Sequence, residues 1–480
     1  MHVIGLIIIS LGLHSSINAQ IVSYQKIATF SIDSLNSIVL SAGLPPGLIV
    51  PQYEVDYYKV VYLSPYIFPD SLVQVSGAIV IPKSVACPLP LVAYGHGTQT
   101  NRSKVASQLN GGQWDINTIL ASTGYLVTMT DYLGLGDSDP RIPIPPYSHA
   151  FSESNAMINI LRSARLIADS IEVPLNGQVF IYGYSQGGAA TVSTVKEIQQ
   201  NYPSEFSITA SAPMSGAYDL KDAQVDLISS TNPYPTPAYF PYIILSYQSV
   251  YQNLFSSPSE FLKSPYDTLL PPLYYAGNTG LNTLNNLCDP IPRNMVIDSV
   301  MNNFLSDSTH PMRLNLLDND LIRGWYPETP MKLFYCTGDD QVSFLNSENA
   351  YTNWTNAGAP SLEKSNFGDF SHNGCAPFAF VNAKNYFDSY KDDCTTSIDE
   401  IIKLQTFTIH PNPAANEVIL SLLLEEALPI KIVLFNNIGM ELSIPFEGII
   451  KGSHEIKWDI SNLNSGIYFL QVFTSNGNYI

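Results

Sequence analysis

One stretch of the sequence decides the fold: Val179-Phe180-Ile181-Tyr182-Gly183-Tyr184-Ser185-Gln186-Gly187-Gly188-Ala189-Ala190. Its first four residues are apolar and typical of a buried strand, whereas the residues after Gly187 suit a helix. A serine between such elements lies on the sharp turn of a nucleophile elbow. That turn brings backbones into close approach, which requires glycine on both sides, and the helix N-terminus stabilises negative charge. Ser185 is therefore the predicted nucleophile.

Around this stretch, apolar segments that predict strands alternate with helical segments. The strands are predicted at residues 89–94, 125–130, 179–182, 208–213 and 331–335, and the clearest helix at residues 154–171. A β-rich hairpin is predicted earlier, over residues 57–82. The alternation indicates βαβ units and therefore an α/β fold, with a mostly parallel sheet and helices on both faces.

Two further segments differ from this pattern. Residues 219–329 form an insertion that is too long for a single crossover and rich in Tyr, Pro, Leu and Asn, so we predict a largely helical cap over the active edge of the sheet. Residues 403–480 contain short alternating strands separated by turn residues. They predict a separate, small all-β sandwich at the C-terminus.

The N-terminus predicts export. Residues 1–19 contain an apolar run too short to span a bilayer, followed by small and polar residues up to Ala19. We interpret them as a signal peptide cleaved before Gln20, although His2 stands where Lys or Arg is usual. Residues 20–394 then form the predicted catalytic domain, and no later segment resembles a transmembrane helix.

The composition excludes some partners. Only 22 Lys and Arg residues stand against 41 Asp and Glu, a formal charge of −19, whereas nucleic-acid binding needs clustered basic residues. No cluster of His and carboxylate residues predicts a metal site, and we expect no cofactor. The five cysteines are too few for a disulfide scaffold, but an exported chain can close one or two bridges.

A serine hydroxyl needs a base to remove its proton, and in enzymes with this elbow the acid and the histidine follow the serine along the chain. Of the eight histidines, two lie in the predicted signal peptide, two precede Ser185, one lies in the cap and two in the C-terminal module. Only His372 remains as the base. The acid is expected just after the strand at residues 331–335, where both Asp339 and Asp340 are candidates.

Acyl transfer also needs backbone N–H donors for the developing oxyanion. One is expected from Gln186, which follows the nucleophile, and one from the loop after an earlier strand. The segment Tyr94-Gly95-His96-Gly97-Thr98 supplies this loop. We predict the Thr98 amide as the second donor, with Gly97 as the alternative.

Three motifs together resemble the α/β-hydrolases close to the bacterial secretory lipase and esterase group. They are Tyr94-Gly95-His96-Gly97-Thr98, Asp131-Tyr132-Leu133-Gly134-Leu135-Gly136 and Gly183-Tyr184-Ser185-Gln186-Gly187-Gly188. The resemblance spans roughly residues 57–392. Related hydrolases have an Asp-x-x-Val pattern at the acid position, which favours Asp339, three residues before Val342, over Asp340.

The C-terminal region resembles the type A sorting domain of the type IX secretion system. Its motifs are Pro411-Asn412-Pro413, Phe435-Asn436-Asn437-Ile438-Gly439 and Ile460-Ser461-Asn462-Leu463-Asn464-Ser465-Gly466-Ile467-Tyr468. The resemblance implies Sec export, contact with the type IX machinery and removal of this module at the cell surface. The final basic residues usual in that domain are missing before Ile480, which leaves the completeness of the signal open.

These features predict a secreted or cell-surface hydrolase of a small-molecule or lipid-like carboxylic ester, acting through an acyl-enzyme on Ser185. Two alternatives stay open: a serine peptidase similar to prolyl oligopeptidases, whose N-terminal propeller this chain lacks, and a non-enzymatic surface binding protein on a hydrolase scaffold. We also hypothesise a disulfide between Cys336 and Cys375, near the acid and the histidine, with two lone buried thiols as the alternative.

Overall fold

A computed structural model describes residues 20–41, 49–68, 71–392, 404–436 and 441–474. The predicted signal peptide, residues 1–19, lies outside these ranges. The described strands form two sheets, one of nine strands and one of four.

The larger sheet provides the frame of the hydrolase unit. Its strands are β1 (Ile21–Phe30), β2 (Val55–Pro65), β3 (Leu72–Pro82), β4 (Leu89–Gly95), β5 (Leu126–Thr130), β6 (Leu175–Tyr184), β7 (Ile208–Met214), β8 (Met331–Tyr335) and β9 (Leu362–Asn366). They lie in the order β1-β2-β3-β5-β4-β6-β7-β8-β9. The first three strands pair antiparallel, as does β3 with β5, and every pair from β5 to β9 is parallel. The predicted hairpin and mostly parallel sheet are confirmed.

The strand order reverses at β4, which lies between β5 and β6. In open α/β sheets, ligand sites form beyond the carboxyl ends of the strands at such a point. Gly95 at the end of β4 pairs in register with Gly183 near the end of β6. The loop after β4 therefore lies beside the turn after β6.

Twelve α-helices occur among the described residues. They are α1 (Ile32–Ser41), α2 (Trp114–Ala121), α3 (Ala150–Ser170), α4 (Gln186–Asn201), α5 (Ala223–Ile228), α6 (Tyr239–Tyr251), α7 (Tyr266–Ala276), α8 (Leu281–Leu287), α9 (Asp298–Ser306), α10 (Pro311–Asp318), α11 (Leu345–Ala357) and α12 (His372–Asp388). None of them is long and apolar enough to span a membrane.

Helices cover both faces of the large sheet, as predicted. On one face, Ile160 of α3, Val192 of α4 and Trp354 of α11 belong to one buried core. On the other face, Leu120 of α2 and Phe380 of α12 belong to a second core. Burial on both sides explains why the central parallel strands are almost continuously apolar.

The predicted insertion is helical. Helices α5 to α10 all lie between β7 and β8. They share a core of their own, which includes Tyr247, Leu270 and Met301. We keep residues 219–329 as the proposed extent of this cap.

The C-terminal module is all-β. Its strands are β10 (Leu404–His410), β11 (Glu417–Asn436), β12 (Glu441–Asp459) and β13 (Tyr468–Thr474), all paired antiparallel. The hydrogen bonds join the described strands into a single sheet, where a sandwich of two sheets was expected. The reason is the length of β11, whose 20 residues pair with β10 near one end and with β13 near the other.

Candidate active site

Ser185 lies on a strained turn between strand and helix. Strand β6 ends at Tyr184 and helix α4 begins at Gln186. Between them Ser185 has φ 62° and ψ −121°, outside the conformations that L-residues ordinarily adopt. Its backbone N–H donates to the Met214 carbonyl at 2.9 Å, which holds the turn against the end of β7. Strain of this kind persists where the surrounding structure enforces it, often at active sites.

The glycines around Ser185 are required by close backbone contacts. A Cβ atom on Gly187 would lie 1.8 Å from the Gly95 carbonyl oxygen, and one on Gly183 would lie 2.3 Å from the Gly187 carbonyl oxygen. Neither space accommodates a side chain. The close approach expected from the sequence therefore occurs, and it brings the loop after β4 against the turn.

The acid and the histidine come from two neighbouring elements. His372 is the first residue of α12, and its Nδ1–H donates to Oδ2 of Asp339 at 2.7 Å. Both side chains are buried, with 4% and 1% of their surface exposed. The other oxygen of Asp339 accepts the backbone N–H groups of Gln341 at 3.0 Å and Val342 at 2.8 Å. These donors orient the carboxylate toward the imidazole.

Asp340, the alternative acid, has a different contact. Its Oδ1 accepts the backbone N–H of His372 at 3.0 Å. Asp339 thus contacts the imidazole, while Asp340 contacts the main chain of the same residue. The two aspartates have different partners because they are adjacent in an irregular loop, where neighbouring side chains point in different directions.

The hypothesised disulfide is present. Cys336 and Cys375 are bonded, and they join the end of β8 to the first turn of α12. The bridge spans 39 residues, so it links the segment that carries Asp339 to the helix that carries His372.

Replacing both bridging cysteines, in Cys336→Ser with Cys375→Ser, is expected to lower the free energy of unfolding by about 2–4 kcal/mol, because the unfolded chain gains entropy. Urea denaturation followed by circular dichroism measures this loss. Cys288→Ser is the matched control, since Cys288 is a free and partly exposed cysteine. Equal transition midpoints for the bridge variant and the control would contradict a stabilising bridge.

The candidate oxyanion donors lie beside Ser185. Gln186 opens α4, and the first N–H groups of a helix have no acceptor within it. In the loop after β4, the Gly97 N–H donates to Oε1 of Gln113 at 3.3 Å. Thr98 contacts Tyr147, since its hydroxyl donates to the Tyr147 hydroxyl at 3.1 Å.

Ser185 borders two cavities of different character. The first is an open cleft of about 590 Å³, which Ser185 and His372 both line. Its polar lining includes Gln113, Thr236, Asn282, Asn285, Asp340, Gln341 and Asn373. The second is a mostly apolar cavity of about 50 Å³ between the start of α4 and cap helices α5 and α6. Its apolar lining includes Ala189, Leu220, Ile228, Phe240, Ile243 and Val342.

One buried residue next to the site was missed at the sequence level. Glu153, on the first turn of α3, is 3% exposed, and its carboxyl group accepts a hydrogen bond from the Gln186 side chain. Burial raises the pKa of Glu153 to about 8. The sequence indicates the burial of Glu153, because Glu153 lies on the same face of the helix as the apolar residues Met157 and Ile160.

Comparisons with known proteins agree with the fold and with an ester hydrolase. Residues 103–222 match the family model for secretory lipases, and residues 408–480 match that for the secretion system C-terminal sorting domain. No curated protein sequence matches the chain.

Among solved structures, the chain is similar to a rice cell wall degrading esterase from Xanthomonas oryzae, with 26% identity over 78% of this chain and 99% of that one and a TM-score of 0.68. A hydrolase from Legionella pneumophila is 23% identical over 79% of this chain and 100% of that one, with a TM-score of 0.71. Lipase A from Candida antarctica, in its closed state, is 17% identical over 81% of this chain and 86% of that one, with a TM-score of 0.59.

The fold, the family matches and the esterase relative favour neither the peptidase nor the non-enzymatic alternative. The sorting module marks the chain as secreted or bound to the cell surface by the type IX machinery. The protein is a carboxylic ester hydrolase with an α/β-hydrolase fold, which is similar to secretory lipases over residues 103–222 and carries a C-terminal sorting domain.

Proposed function

We propose that ester hydrolysis proceeds through an acyl-enzyme on Ser185, with His372 as the base and Asp339 as the orienting acid. The observation that carries this proposal is the 2.7 Å bond from His372 Nδ1 to Asp339, in a cleft that Ser185 also lines. A proton held at Nδ1 leaves Nε2 free to take the serine proton. The imidazolium then protonates the leaving alcohol, and water releases the acid by the same steps in reverse order.

The oxyanion donors in this proposal are the backbone amides of Gln186 and Thr98. Helix α4 begins at Gln186, so the Gln186 N–H lies at the N-terminal end of the helix. That end of a helix stabilises negative charge. Thr98 is favoured over Gly97 because the Gly97 amide already donates to Gln113. Donors held in place in this way stabilise the tetrahedral intermediate without reorganising.

The two cavities support separate binding sites for the acyl part and the alcohol part of the substrate. An apolar cavity of about 50 Å³ beside Ser185 has room for a few water-sized groups, which corresponds to an acyl chain of about two to four carbons. The larger cleft has polar side chains, which favour an alcohol part that bears hydroxyl groups. We therefore propose a small-molecule or short-chain lipid ester as the substrate class.

A panel of p-nitrophenyl esters tests this proposal. Wild-type kcat/KM is expected to be highest for acyl chains of about two to four carbons and to fall for longer chains, because the apolar cavity is full. Dipeptide amides run beside the esters, and turnover of amides alone would contradict the ester assignment.

Ile243→Ala enlarges the same cavity and is expected to move the optimum to longer chains by about two to three carbons, the size of the deleted group. Leu245→Ala is the matched control. Leu245 is buried on the same helix but does not line the cavity. An unchanged optimum in Ile243→Ala, or an equal shift in both variants, would contradict the assignment of the acyl site.

We further propose that residues 1–19 act as the signal peptide and residues 403–480 as the sorting module. The family match over residues 408–480 supports the second boundary.

A further inference from the structure

Glu153 is a buried carboxyl group that the proposed mechanism does not use. One of its oxygens, Oε1, accepts hydrogen bonds from Nε2 of Gln186 at 2.6 Å and from the backbone N–H of Ser148 at 3.0 Å. No ion pair to Glu153 occurs within the described part of the chain. A carboxyl group buried without a cation is costly, so its position calls for a physical explanation.

The two donors to Glu153 lead to the two halves of the proposed oxyanion hole. Gln186 supplies one amide directly. Ser148 adjoins Tyr147, whose hydroxyl accepts the hydrogen bond from Thr98, the second donor residue. The Tyr147 ring stacks on the ring of Tyr242 in the cap, with 4.4 Å between the ring centroids. This contact restricts sideways movement of Tyr147.

The segment at Ser148 is held from the cap as well. The Tyr247 hydroxyl donates to the Ser148 carbonyl at 2.9 Å, and the Tyr147 N–H donates to the Ser246 hydroxyl at 2.7 Å. Glu153 therefore bonds helix α4 through the Gln186 side chain and, through the Ser148 N–H, a segment that also contacts the cap and Thr98.

We propose that Glu153 is a positioning residue that sets the separation of the Gln186 and Thr98 amides. This inference rests on the proposed acyl-enzyme function. It goes beyond that function because it assigns a role in the oxyanion hole to a residue outside the triad and its backbone donors.

The neutral state follows from the surroundings of the group. Burial raises the pKa of Glu153 to about 8, so the acid is protonated at neutral pH. The titratable groups around Glu153 are also neutral at pH 7. Burial raises the pKa of four tyrosines and lowers the pKa of His149 to about 4. The tyrosines are Tyr132, Tyr147, Tyr242 and Tyr247. An anion at Glu153 would oppose the charge that develops on the substrate oxygen. As the pH rises through about 8, kcat is therefore expected to fall.

Two substitutions test this role on the full chain. Glu153→Gln keeps the acceptor oxygen and cannot ionise, so kcat at pH 7 is expected to stay within about threefold of wild type, and the alkaline fall in kcat should vanish. Glu153→Leu removes the acceptor, so kcat is expected to fall by about 10- to 100-fold with KM within about twofold, because the donors act mainly in the transition state.

The experiment compares pH profiles of kcat and KM with p-nitrophenyl acetate, after thermal melts have shown which variants fold. An alkaline fall that persists in Glu153→Gln, or a folded Glu153→Leu with wild-type kcat, would overturn the positioning role. If Glu153→Leu does not fold, the pH profile of Glu153→Gln decides alone. Full activity in Ser185→Ala would instead overturn the proposed function, so the two failures are distinguishable.

Discussion

Ser185→Ala is expected to lower kcat for ester substrates by about a million-fold, with KM close to the wild-type value. The hydroxyl group forms the acyl-enzyme, and no other group on the turn between Tyr184 and Gln186 replaces it. The activity that persists would come from the oxyanion hole and from substrate binding alone. Initial rates with p-nitrophenyl acetate at high enzyme concentration measure the loss.

Ser193→Ala is the matched control for this substitution. Ser193 is buried on the same helix, α4, and its hydroxyl donates to the Ala190 carbonyl at 3.0 Å, away from the cleft. Its kcat is expected to stay within about threefold of wild type. A Ser185→Ala variant that loses no more than the Ser193→Ala control would contradict Ser185 as the nucleophile.

Asp339→Asn is expected to lower kcat by about ten thousand-fold while the fold persists. The carboxylate accepts the Nδ1–H of His372, and an amide in its place allows the imidazole to take the wrong tautomer. It also loses the charge that stabilises the imidazolium formed during proton transfer. Steady-state kinetics between pH 6 and 9, compared with the wild type over the same range, measure this effect.

Asp340→Asn provides the control at the adjacent position. Within the described ranges, the Asp340 side chain accepts a hydrogen bond from the backbone N–H of His372, and an asparagine oxygen can accept the same bond. We expect kcat to fall by less than about tenfold. A larger loss for Asp340→Asn than for Asp339→Asn would reverse the assignment of the acid.

Much of this site could be predicted because its requirements are local. Gly183 and Gly187 are needed by backbone contacts that any nucleophile elbow makes, so the motif alone predicted the turn. His372 followed by elimination, since the other histidines lie in the wrong part of the chain order. The alternating sheet was also predictable, because strands buried on both faces are continuously apolar.

Other features depend on contacts between residues distant in sequence. Whether Asp339 or Asp340 contacts the imidazole depends on the loop conformation. The distance in sequence from β8 is compatible with either aspartate as the acid. Glu153 contacts Gln186, 33 positions later, and a single glutamate on a helix does not reveal that partner. The C-terminal module was expected to fold as two sheets because short strands were predicted, whereas β11 continues for 20 residues and joins them into one.

Acyl transfer through Ser185 requires that the Ser185 hydroxyl become covalently modified. The most direct test is intact-mass and peptide mass spectrometry after treatment with a fluorophosphonate, in the wild type and in Ser185→Ala. We expect one adduct per chain in the wild type, on the peptide that contains Ser185, and none in Ser185→Ala. An adduct on a different residue, or an unlabelled wild-type protein that still hydrolyses esters, would contradict it.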